Sequence, residues 1–122
     1  MNAGRDFLDY LTDIHETMAK IPNFVAGMTH EQFVADEKTI FAVIRAIEII
    51  GEATKKVPPP VRNRHPEILW KRMAGMRDRV IHGYRGVDLA IVWETATRTV
   101  AELIPRMARV LAQESGRRGD AS

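Results

Sequence analysis

Residues 7–21 read FLDYLTDIHETMAKI. Phe7, Leu8, Leu11, Ile14, Met18 and Ile21 recur at intervals of three and four, which makes one apolar stripe along an α-helix. Pro22 is expected to end this helix, and Gly27 to sit in the loop beyond it. Thr29 then opens Thr-His-Glu-Gln, a capping-box pattern with Gln32 at the third helical position. The spacing predicts a second helix from about His30 to Lys56, with Phe33, Ile40, Ile44 and Ile47 on its core stripe and Val43 and Ile50 beside it. Gly51 falls inside that pattern and costs about 1 kcal/mol relative to alanine. That cost is tolerable where another helix approaches closely.

The run VPPPVRNRHPEI, residues 57–68, cannot be one regular helix and reads as a structured connection. A third helix is predicted over about Leu69–His82, with Gly83 and Gly86 punctuating its end. Asp88 is a suitable N-cap for a fourth, about Leu89–Gln113, which Pro105 is expected to kink or split. The final SGRRGDAS is polar and glycine-rich, and reads as a flexible tail. No strand pattern or repeat interrupts this order. The expected fold is therefore all-α, an up-and-down bundle of four main helices, with one domain at 1–114 and a tail at 115–122.

Composition narrows the chemistry. The chain has 122 residues and no cysteine, which excludes disulfides, thiolate catalysis and cysteine-based metal sites. It offers no HExxH pair and no carboxylate cluster around a histidine, so no metal site is expected. The lack of cysteine fits a reducing cytosol, and a cytoplasmic protein is expected. No basic stretch followed by an apolar run marks a signal peptide, and no apolar run approaches the roughly 20 residues needed to span a bilayer. Net charge is +2, but residues 1–60 carry −3 and residues 61–122 carry +5. A basic half can attract a polyanion, although arginines also solvate the outer faces of helices.

Within the basic half lies MRDRVIHGYRG, residues 76–86. Arginine, histidine and tyrosine fall together where a helix should end. Arg77 and His82 are five apart, so at about 100° per residue they point roughly 140° apart on an ideal helix. One copy of the helix cannot place both on one stripe. Either it unwinds near Gly83, or a second copy of the chain completes the site. Asp78 and His82 are four apart and can meet; a carboxylate there would orient the ring and favour its protonated form. Arg77 supplies a forked donor suited to phosphate. Tyr84 adds a hydroxyl just beyond the predicted helix end. Helix caps and surface packing would also account for these residue types.

The spacing Arg77-x4-His82-x-Tyr84 resembles the Arg-x4-His-x-Tyr motif of HepT-like toxins, a branch of the HEPN ribonuclease superfamily. Asp78 matches the polar residue that often follows the arginine. VIRAIEIIGEAT (43–54), HPEILWKRMAGMRDRVIHGY (65–84) and VDLAIVWETATRTVAELIPRM (87–107) are similar to successive helices of that family. The likeness spans roughly residues 5–110.

The resemblance implies a metal-independent endoribonuclease that needs no cofactor and is the toxin half of a toxin–antitoxin pair. It implies a homodimer with two motifs facing one cleft, Arg77 and His82 as catalytic residues, and Asp78 in support. The partner it implies is an MntA-type nucleotidyltransferase antitoxin that moves AMP from ATP onto Tyr84. The product would end in a 2′,3′-cyclic phosphate. A rival reading keeps the fold but not the chemistry: an inactive module that docks a nucleotidyltransferase or binds a nucleotide. Glu52, next to Gly51, either holds Arg77 in place or is a surface charge. His15 and His30 are expected to face solvent, His65 to serve a loop, and Trp70, Trp93, Tyr10 and the methionines to pack.

Overall fold

The computed structural model describes residues 6–81 and 88–121. Among these the secondary structure is entirely helical: α1 Phe7–Val25, α2 His30–Val34, α3 Glu37–Lys55, α4 Pro59–Arg64, α5 Trp70–Ile81, α6 Leu89–Glu94 and α7 Val100–Ala121. A π-helical turn, Thr95–Thr99, joins α6 to α7, and the backbone stays right-handed helical through Glu94, Thr95 and Val100. The segment 89–121 is thus one rod, and with α1, α3 and α5 it makes the expected bundle of four main helices.

Each start has a local cause. Asp6 caps α1 by accepting from the amides of Leu8 and Asp9, while Asp9 accepts from the Asp6 amide. Thr29 and Gln32 form the predicted capping box at α2. Asp88 caps α6 through Ala90 and Ile91.

Three readings differ from the sequence expectation, and the connection at 57–68 is refined. Pro22 does not end α1, which runs on to Val25 because Ile21 and Val25, on either side of the proline, are both buried. The actual stop is a type II turn: Val25 C=O accepts from Met28 N–H at 3.0 Å, and Gly27 takes the positive φ of 76° that this turn demands. The second helix breaks at 35–36, where the Asp36 carboxylate accepts from the Thr39 amide and starts a new helix, α3. In 57–68, Pro58 is the N-cap of α4 and Pro59 its first residue, so prolines that end one helix begin the next. Pro105 does not break α7. It and Ala101, whose carbonyl it leaves without an amide partner, are both exposed to water.

The segment read as a tail from residue 115 continues α7 to Ala121. It is tied down by Arg118, whose guanidinium donates to Asp6 at 2.6 Å and lies 5.3 Å from the Phe7 ring centre.

Leu11, Ile14, Met18 and Ile21 of the predicted α1 stripe are fully buried, as are Val100, Met107 and Val110 of the last rod. In α3 the buried line is rotated from the expected one: Val43, Ile47 and Ile50 are fully buried, whereas Ile40 and Ile44, expected on the core stripe, pack at its edge. Backbones approach closely between α1 and α3, α1 and α7, and α3 and α5. The pair α5 and α7 is not among these neighbours, and a hollow of about 210 Å³ lined by both lies between them.

Candidate active site

The α3–α5 seam positions the motif arginine. Gly51 on α3 is buried, and a Cβ placed there would lie 3.1 Å from the Arg77 Cβ and 3.4 Å from the Ala74 carbonyl oxygen. The glycine that costs helix propensity therefore permits the close approach expected of it. Arg77 leaves the seam with a side chain 34% exposed. Its Nη1 donates to Asp78 Oδ1 at 3.4 Å, and its Nε lies 3.9 Å from Glu52 Oε2. Both carboxylates are well exposed, and both distances are long for a charge-assisted bond. Arg77 is thus oriented by two acids and tightly held by neither. The structure brings Arg77, Asp78 and Glu52 together. His82 and Tyr84 lie outside the described residues.

A second cluster on the far end of the chain went unread in the sequence. Glu114 of α7 is 1% exposed. Its Oε2 accepts from Arg64 Nε at 2.9 Å and lies 2.6 Å from His65 Nε2, while Oε1 accepts from Arg64 Nη2 at 2.6 Å. The Arg64 guanidinium, joined by His65, holds the Glu114 carboxyl down to about 2 against the opposing effect of burial. His65 is buried in this clamp and also gives its carbonyl to the Trp70 indole N–H. The signal was present: Val100, Leu103, Met107, Val110 and Glu114 repeat at three and four, so the acid continues the buried stripe. His30 is exposed, as expected, and meets the Trp93 ring edge-on at 5.8 Å.

The family profile described as "Ribonuclease HepT-like" matches residues 14–110. The chain belongs to the HepT-like ribonuclease family.

Among relatives of this HepT-like chain, a probable ribonuclease HepT of Thermococcus cleftensis is 48% identical over 99 residues, covering 81% of this chain and 90% of the relative. A protein named as a candidate RNase of Methanocaldococcus jannaschii is 41% identical over 113 residues, 93% of both chains. Another, of Caldanaerobacter subterraneus, is 39% identical over 114 residues, 93% of this chain and 99% of that one. No solved structure matches. Among the described residues no helix of this HepT-like domain is long and apolar enough to cross a membrane.

Proposed function

We propose that this HepT-like domain is an RNA-cleaving toxin whose reaction needs no metal ion. The observation that carries the reading is Arg77: a partly exposed guanidinium on a tight seam, loosely engaged by its own acids, in frame with His82 and Tyr84. An arginine so placed is pre-aimed yet able to exchange its weak partners for a phosphate.

In this reading two copies of the chain form a cleft that offers two arginines and two histidines to one phosphodiester. A neutral His82 takes the proton of a ribose 2′-OH. The 2′ oxygen forms a bond to phosphorus, the bond to the 5′ oxygen breaks, and a protonated His82 from the second copy returns a proton to that leaving oxygen. Arg77 stabilises the charge that develops on the phosphoryl oxygens, with Asp78 and Glu52 setting its direction. The products are a 2′,3′-cyclic phosphate and a 5′-hydroxyl. Silencing follows when an MntA-type nucleotidyltransferase antitoxin joins AMP from ATP to the Tyr84 hydroxyl, releasing pyrophosphate. The added phosphate and base then occupy the cleft and engage its arginines.

Cleavage of total RNA in EDTA by the purified, unmodified protein tests this, with His82→Ala beside it. Cleavage by the wild type alone is expected. Loss of all activity in EDTA, or equal cleavage by both proteins, overturns the scheme. For silencing, co-expression with a nucleotidyltransferase partner should add one AMP by intact mass. An adduct that persists in Tyr84→Phe would place the modification elsewhere.

A further inference from the structure

Among the described residues, some cations have an acid beside them and others do not. Arg45, Arg64, Arg77, Arg98, Arg117 and Arg118 each have a carboxylate within 4 Å. Arg62, Lys71, Arg72, Arg79 and Arg106 have none among the described residues, and these five are gathered in one place. A hollow of about 530 Å³ at the corner of α4 and α5 is lined by Arg62, Asn63, Trp70, Lys71 and Arg72, and no acid lines it. The smaller hollow between α5 and the last rod is lined by Arg72, Arg79 and Arg106 over Met73 and Met76, with Glu102 as its one acid. Arg72 belongs to both, so the two hollows adjoin.

Two further features mark this corner of the molecule. The Arg62 Nε is buried without a hydrogen-bond partner among the described residues, a position that normally costs free energy. The π-helical turn also lies here: Thr95 and Thr99 line the second hollow, so the widened helix faces α5 across the gap. Folding does not require five cations to be gathered around two hollows that hold a single acid, Glu102, and their mutual repulsion opposes it. A polyanion would relieve that repulsion and release counterions.

We propose that the two adjoining hollows form a track for the phosphate backbone of RNA, with Arg72 at the junction. The choice of RNA rests on the ribonuclease reading above. Arg72 and Arg79 are seven apart and share one flank of α5, whereas Arg77 points about 140° or more away around the same helix. The track therefore holds nucleotides that flank the reacting phosphate. Its arginines are positioning residues, and they act on long substrates.

The test separates binding from cleavage. In a His82→Ala background, fluorescence anisotropy of a labelled single-stranded RNA about 30 nucleotides long is followed against sodium chloride concentration. Lys71→Gln with Arg72→Gln is expected to lower the slope of log K against log salt by about 1.4, and adding Arg79→Gln and Arg106→Gln by about 2.8, at about 0.7 per phosphate contact. Arg45→Gln with Arg98→Gln removes the same charge as the first pair and is expected to leave the slope unchanged. With His82 intact, the track variants should raise KM for long RNA on the order of tenfold and leave a dinucleotide substrate unaffected. The track and control side chains are all exposed, and unchanged helical circular dichroism and Tm confirm the fold.

Equal slopes for the track and control variants, or no RNA binding at all, overturn the proposal. Track-dependent binding by a wild type that cannot cleave would overturn the ribonuclease reading and leave the track standing.

Discussion

Two arginine–carboxylate clusters in this molecule use the same chemistry to opposite ends. At Arg64, both oxygens of one buried glutamate are engaged at 2.6–2.9 Å, and a histidine shares one of them. At Arg77, two acids stand at 3.4 and 3.9 Å in partial contact with water. The first cluster is closed: both oxygens of Glu114 are engaged at short range and the side chain is buried, so a ligand would have to displace Arg64. The second is under-committed, so an incoming phosphate competes only with weak, screened partners. Burial and distance, not residue type, separate the structural arginine from the one proposed to meet the substrate phosphate.

Breaking the closed side should have the largest effect. Glu114→Gln keeps the shape but leaves Arg64 and His65 facing a neutral group, and is expected to cost about 3–5 kcal/mol. For a domain of this size that lowers Tm by roughly 10–20 °C. The pH dependence has a definite sign. The Glu114 carboxyl is depressed from 4.5 to about 2, so its stabilisation is complete above pH 4.5 and is lost as pH falls toward 2. The Tm gap between wild type and Glu114→Gln should therefore be full at neutral pH and narrow across that acid window. A gap that does not change with pH would show that the carboxylate charge is not the source.

Arg77→Ala is the converse. Its ion pairs are partly exposed, so stability should change by no more than about 1 kcal/mol, while RNA cleavage falls by about 10²–10³ in kcat. A large loss of Tm here would erase the contrast between the clusters. Gly51→Leu attacks the seam beneath Arg77 and should cost about 1–3 kcal/mol by forcing α3 and α5 apart. The smallest change is expected from Glu52→Gln, with stability within about 0.5 kcal/mol of wild type. A fall in kcat at constant KM in that variant would show Glu52 steering Arg77.

The sequence carried the helices that pack, because apolar spacing and packing share a cause. Gly51 was legible as a close approach because a glycine in a long helix needs a reason. The boundaries at Pro22, Asp36 and Pro105 were less so: whether a proline or an aspartate stops a helix depends on what is buried on either side, which is a tertiary matter. Composition misdirected the reading of the C-terminus. Glycine and arginine suggested a flexible tail from residue 115, but α7 runs on to Ala121 and Arg118 finds a partner 112 residues away. The Arg77–Glu52 proximity was readable only as an open choice, since helical register cannot tell how far apart two helices stand.

The Glu114 clamp also sets an order of events during synthesis. Chains are made from the N-terminus, and domains fold as units as they emerge. Arg64 and His65 are translated long before the glutamate that engages them. Until residue 114 is available, the nascent bundle must keep that corner hydrated and open. Closure of the native state thus waits for α7, and the bundle has no sealed corner until that helix can pack.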